Sequence, residues 1–223
     1  MGWAEFAAAF AVFFLSHTVP VRPPLRPRLE AVLGARGFTL VYSALSLAVL
    51  AWLIVAAGRA PYVQLWGWAP WQVHVPLIAM LPACLIAALA IGRPNPFSFG
   101  GARARDFDPA RPGIVRWMRH PLLVAMALWA FAHVVPNGNL AHVLLFALFG
   151  GFALLGGRLI DQRKRREMGA EWARLDEARR AGPLLPCPVH PPGAVLRIAA
   201  GVGLYWGLIK AHPYLFGVAP LPL

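Results

Sequence analysis

The sequence predicts an all-α protein, a polytopic membrane bundle of about six transmembrane helices forming one domain over residues 1–223. Three observations point there. The chain is 59% hydrophobic and only 13% charged, whereas soluble domains carry about 25% charged residues. Its apolar residues are gathered into runs, several near the ~20 residues that a bilayer-crossing helix needs. Its cations sit between those runs, so the net charge of +12 reflects membrane topology, not a nucleic-acid partner.

The first apolar run covers about 3–20. It has no basic residue before Arg22 and no small-residue cleavage site, so it is expected to remain as a span, not a signal peptide. The second covers 37–57 and the third 71–92. The fourth, 121–136, is short and is expected to begin earlier or to end in a re-entrant turn. The fifth covers 140–160, and the string PNGN between the fourth and fifth predicts a tight helical hairpin. The sixth covers 194–216. Residues 93–119 are rich in Gly, Pro and Arg and read as a loop. Residues 161–182 (DQRKRREMGAEWARLDEARRAG) have strong helix propensity; they extend the fifth span or lie along the membrane surface.

Basic residues divide unequally among the connections. Residues 21–36 hold four arginines, 93–120 hold six, and 158–197 hold nine Lys and Arg. The other side of the membrane receives Arg59 and Lys210 alone. A 19-to-2 split places the three long loops in the cytoplasm and both termini outside, in the periplasm of a bacterial inner membrane. Six spans, an even number, put the termini on one side as well.

Membrane spans rarely carry histidine, because a polar ring there needs a partner. Three histidines lie in or at the ends of apolar runs: His17 in FFLSHTVP, His120 in WMRHPLL and His133 in LWAFAHVVPNGN. Each reads either as a half-hydrated boundary residue or as a ligand, since imidazole holds metals and haem iron readily. Ser16 is a candidate hydrogen-bond partner for the His17 ring. Pro121 after His120 is a normal helix start, and Arg119 is placed to meet lipid headgroups or an anionic ligand. Arg93, Asn95 and Ser98 stand near a span end and can bind a polar group. His74, His142, His190 and His212 read as interfacial or loop residues, and Tyr62, Trp66, Trp68 and Trp71 as an outer aromatic belt. Cys84 and Cys187 read as unpaired thiols. There is no serine triad, P-loop, Rossmann glycine motif, HExxH site or in-span carboxylate pair, which excludes the enzyme classes built on them.

The strings SHTVP, RPRLEAVLGARGFTLVYSALSL, APYVQLW, RPNPFSF and GIVRWMRHPLLVAMALWAFAHVVPNGN, with the basic stretch after Asp161, resemble the NnrU family of bacterial membrane proteins over most of the chain. That family is associated with denitrification and nitric oxide metabolism. It is related to the 15-cis-zeta-carotene isomerases, which bind haem b and isomerise a polyene when the iron is reduced. The resemblance implies haem b here, a lipid-soluble or small-molecule ligand, and matches of the isomerase histidines at His17, His120 and His133. It implies His17 and His133 as the axial pair, with His120 and Arg119 at the cofactor site. Topology alone favours a His17–His120 pair, since it sets both near the cytoplasmic face, and the two pairings stay open at this point. The isomerases carry a cysteine three residues before the last histidine, where this chain has Ala130. The non-enzymatic alternative is an accessory or haem-handling protein of denitrification. A fainter likeness, of RHPLL and GAEWARLDE to isoprenylcysteine-type methyltransferases, lacks the usual aromatic, since Leu123 stands there.

Overall fold

A computed structural model describes residues 2–99, 104–183 and 191–221. All six apolar runs are helical, and no strand occurs among the described residues. The helices are α1 (Gly2–Thr18), α2 (Leu25–Arg59), α3 (His74–Ala90), α4 (Pro121–Val134), α5 (Leu140–Met168), α6 (Ala170–Ala181) and α7 (Pro191–Phe216). Among the described residues, four stretches are long and apolar enough to cross a membrane: Leu25–Arg59, Pro70–Ala90, Leu140–Met168 and Pro192–Phe216. Helix α1 has 17 residues and α4 has 14. At 1.5 Å per residue they rise about 26 and 21 Å, short of a ~30 Å hydrocarbon core.

One boundary differs from the sequence expectation, because charge ends an apolar run but not a helix. Helix α2 starts at Leu25 instead of 37, carrying Arg26, Arg28, Glu30 and Arg36, with a break at Gly34 (φ 70°, ψ 161°). That conformation is open to glycine and strained for other residues. Helix α5 runs eight residues past 160 to Met168, one of the two outcomes expected for the basic stretch 161–182. Gly169 (φ 58°) then turns the chain into α6.

The chain forms two compact units. The first comprises residues 1–67 and 138–145, the second 68–137 and 146–223. In the first, α1 and α2 pack antiparallel: Glu5 meets Arg59 at 3.5 Å, and the His17 ring lies edge-on to Tyr42. The loop after α2 is hooked to the start of α5 by an isolated bridge between Gln64 and Asn139. Leu65 N donates to Gly138 O at 2.8 Å, and Leu140 N to Val63 O at 2.9 Å. The Trp66 carbonyl occupies the place where a Cβ on residue 138 would stand, so the PNGN turn needs its glycine. Asn139 Oδ1 accepts from Ala141 N at 3.3 Å, which caps α5.

In the second unit α3 packs antiparallel to α4 and to α7. Tyr205 donates to Leu77 O at 3.1 Å, and Arg197 to Ala88 O at 2.8 Å. Helices α4 and α5 are antiparallel too, from Trp129 against Phe146 to His120 beside Gly157. Leu123, Ala127 and Ala153 form their shared core. Apolar side chains gain little from leaving lipid for protein, so membrane helices associate through close contact over small residues. Gly150 and Gly156 on α5 lie against Phe131 and Leu123 of α4, and Gly157 against His120 just before it. Cys84 is a free thiol, 3% exposed; Cys187 and His190 lie outside the described residues.

Candidate functional site

His17 closes the last turn of α1. Its Nδ1 lies 2.7 Å from the Phe13 carbonyl one turn back. A carbonyl only accepts, so Nδ1 carries the hydrogen and donates it. Ser16 Oγ, itself donating to Phe13 O at 3.0 Å, stands 3.2 Å from the same nitrogen, as the sequence led us to expect. The ring stacks on Phe13 with centroids 4.1 Å apart. Position and tautomer are thereby set, and Nε2 keeps its lone pair with no hydrogen-bond partner among the described residues.

His133 repeats the arrangement at the end of α4. Nδ1 donates to the Trp129 carbonyl at 2.7 Å, again four residues back. The ring is flanked by Trp129 and Phe146 at 5.8 and 5.3 Å. The His133 carbonyl, freed by the end of the helix, accepts from Asn137 Nδ2 at 2.7 Å. Nε2 again has no partner among the described residues. Ala130, one turn earlier, is fully buried and offers a methyl group. An imidazole whose Nδ1–H is held by a carbonyl is the form in which histidine binds a metal through Nε2.

His120 differs. It is the residue before α4, with Pro121 in the first turn as expected. Its Nε2 lies 3.0 Å from Asp161 Oδ1 and its Nδ1 3.0 Å from Ser98 Oγ. Burial holds the imidazole below its usual pKa, against the pull of Asp161, so the ring is neutral at pH 7. The neutral ring then donates from Nε2 to the carboxylate and accepts the serine hydroxyl at Nδ1. Both nitrogens are occupied. His120 and His133 stand at opposite ends of one helix, and His17 belongs to the other compact unit.

Arg119 turns to two carboxylates. Its Nη2 is 2.6 Å from Asp161 Oδ2, its Nε 3.2 Å from both Asp161 oxygens, and its Nη1 3.4 Å from Asp176 Oδ1. Asp176 also binds Arg179 Nη2 at 2.6 Å and Arg180 Nη2 at 2.7 Å. Arg179 Nη1 donates onward to Val115 O and Arg116 O at 3.2 and 2.9 Å. Burial alone raises the Asp176 pKa; Arg179, with Arg119 and Arg180, outweighs it and holds the carboxyl below its ordinary value. Trp172 lies beneath the guanidinia of Arg165 and Arg119, at 4.2 and 5.4 Å, and packs on Phe97 and Val115. Asn95 donates to Arg119 O at 3.0 Å and accepts from Phe97 N at 2.9 Å. Residues 95–98 and 113–120, the end of α5 and α6 are thus one packed layer, stitched by charge.

Sequence reading singled out Arg119, His120, Asn95 and Ser98, but not their partners Asp161, Asp176, Arg179 and Trp172. One signal was present. Arg179 and Arg180 follow Asp176 at helical i,i+3 and i,i+4 spacing, and Asp161 sits where the fifth apolar run meets its basic tail. His74 and His212 also have Nδ1 near carbonyls, Trp71 O at 3.2 Å and Val218 O at 2.8 Å, but in exposed hydrogen bonds. His142 pairs with Asn139 at 3.2 Å. No group of three or more metal-ligating His, Cys, Asp or Glu occurs among the described residues. Beside α4, an apolar cleft of about 390 Å³ is lined by Val75, Ala79, Leu128, Phe131, Ala132 and Leu154.

A family model described as NnrU protein matches residues 5–220. No curated protein matches the sequence, and no solved structure matches the fold.

Proposed function

The chain belongs to the NnrU family, and from that premise we propose that it is a haem b-binding inner-membrane protein acting on a small or lipid-soluble ligand. The observation that carries this reading is the matched state of two histidines. His17 and His133 each donate from Nδ1 to the carbonyl four residues earlier at 2.7 Å, leaving Nε2 as a directed nitrogen donor. His120 has both nitrogens engaged, which favours His17 with His133 as the axial pair and gives His120 a role in holding α4 to α5. Held by these two histidines, haem would supply one-electron redox chemistry. The chain's contribution is to fix both tautomers, shield the rings with aromatic neighbours, and offer the apolar cleft beside α4 to a hydrophobic molecule such as a polyene.

Redox-dependent cis–trans isomerisation of a polyene is the enzymatic form of this proposal; a haem-handling accessory of nitric oxide metabolism is the non-enzymatic form. We place both termini in the periplasm and count six crossings, with α1 and α4 completed by their flanking turns. Absorption spectra of the purified protein, oxidised and then reduced, test the haem reading directly. A Soret band lost in His17→Ala or His133→Ala but kept in His120→Ala supports the proposed pair. A colourless wild-type protein expressed with ample haem overturns it. Turnover of a cis-polyene under reducing conditions separates the enzyme from the accessory protein.

A further inference from the structure

Where α3 ends and α7 begins, two arginines meet no carboxylate. Arg197 Nη1 donates to Ala88 O at 2.8 Å and to Ile91 O at 2.7 Å, carbonyls in the last turn of α3 and just past its end, where the helix supplies no donor. These bonds fix the guanidinium and leave its other nitrogens without a partner among the described residues. Arg93, three residues past the end of α3, is exposed; its backbone N–H donates to Ala90 O at 3.1 Å, and its side chain makes no hydrogen bond or ion pair among the described residues. All nine acidic residues of the chain are described, and none is paired with either arginine.

Both arginines line one cleft of about 640 Å³ between the two helices. Its remaining wall is apolar: Ala88 on α3, with Leu196, Ala200 and Leu204 on α7. The cleft is open along α7, where Leu196 and Leu204 are 71% and 44% exposed. An apolar trough under two unpaired guanidinia has the polarity of one molecule, an anionic amphiphile. Arginine's planar fork suits phosphate oxygens, and basic pockets between transmembrane helices recognise anionic lipid headgroups. A zwitterionic headgroup brings its phosphate together with an ammonium, and no carboxylate stands here to receive it.

We propose that this cleft binds an anionic phospholipid, its phosphodiester between Arg93 and Arg197 and an acyl chain along Ala88, Ala200 and Leu204. The test uses the full chain, delipidated in detergent and titrated with phosphatidylglycerol, with phosphatidylcholine of the same acyl chains, and with inorganic phosphate, all read by native mass spectrometry. One phosphatidylglycerol is expected to bind about tenfold more tightly than phosphatidylcholine. Arg93→Gln, at a side chain that bonds to nothing in the protein, should abolish that preference without changing the helical melting curve. Ala200→Phe should weaken both lipids by filling the trough while leaving the charges. Arg197→Gln also uncaps α3, so Arg93→Gln is the deciding variant. Equal affinity for the two lipids, wild-type affinity in Arg93→Gln, displacement of lipid by millimolar phosphate, or occupation of the cleft by a second copy of the chain would each overturn the proposal.

Discussion

Replacing Asp161 with asparagine isolates the charge that joins α4 to the end of α5. Asparagine keeps the volume and one acceptor oxygen, so the His120 Nε2–H retains a partner. Arg119 loses its closest contact, 2.6 Å to Oδ2. The wild-type cluster has two carboxylates, Asp161 and Asp176, for Arg119, Arg179 and Arg180; the variant leaves Asp176 alone among three guanidinia. Removing one partner of a buried pair costs about 3–5 kcal/mol. The Arg119 side chain is 23% exposed and still meets Asp176 at 3.4 Å, so the low end, about 3 kcal/mol, applies. That amounts to about a hundredfold rise in the population of the opened layer. Hydrogen exchange in nanodiscs reads it as lost protection in α6 and in residues 113–119, with α3 and α7 unchanged. Exchange in α6 that rises less than threefold would show that the apolar contacts of Trp172, Phe97 and Val115 hold the layer without the charges, and the reasoning would be wrong.

Other outcomes are expected. Because Asp176 has its pKa depressed in the folded protein, its contribution is present above the ordinary aspartate value of 3.8 and lost as pH falls through the lower folded value. Exchange protection of α6 should therefore persist at pH 5 and fail only below about pH 4; collapse between pH 6 and 5 would point to another group. Gly138→Ala drives a Cβ into the Trp66 carbonyl, a backbone atom that cannot swing aside, and should destabilise the loop–α5 hook by about 1–3 kcal/mol, read as a lowered unfolding midpoint. Cysteines placed at 105 and 165 should be labelled by impermeant maleimide from the cytoplasmic side alone; labelling from outside intact cells would reverse the topology. Ala130 offers no donor atom, so ferric spectra of haem-loaded protein should show nitrogen ligation, and a thiolate spectrum in the wild-type protein would refute this.

Much of the architecture was legible because lipid imposes a strong rule: apolar runs of adequate length become helices. All six runs did. The ends were less legible, because propensity and apolarity diverge there; Arg26, Arg28 and Glu30 are poor lipid contacts but sit comfortably in the first turns of α2. His17 and His133 stood out as polar rings among aromatics, and Pro121 marked a helix start. Ligand geometry was not legible, since whether Nε2 is bare depends on a carbonyl one turn away and on whatever else approaches. For His120 the deciding groups lie 22 and 41 residues distant, in Ser98 and Asp161. Long-range charge pairing leaves no periodic trace, and for that reason the sequence points Arg119 at lipid headgroups or an anionic ligand and not at Asp161 and Asp176.

The separation of Arg119 from its carboxylate also has a meaning in time. Asp161 lies 42 residues downstream and Asp176 lies 57. At about 5–20 residues per second, the ribosome delivers Arg119 some 2 to 8 seconds before Asp161 exists, and Asp176 later still. During that interval Arg119, two residues ahead of α4, lacks the carboxylates that pair with it in the folded protein, and its charge keeps that end of the helix at the aqueous face while α5 is made. The ion pair then closes after the hairpin is complete, making it a late latch on an insertion step that hydrophobicity has already carried out.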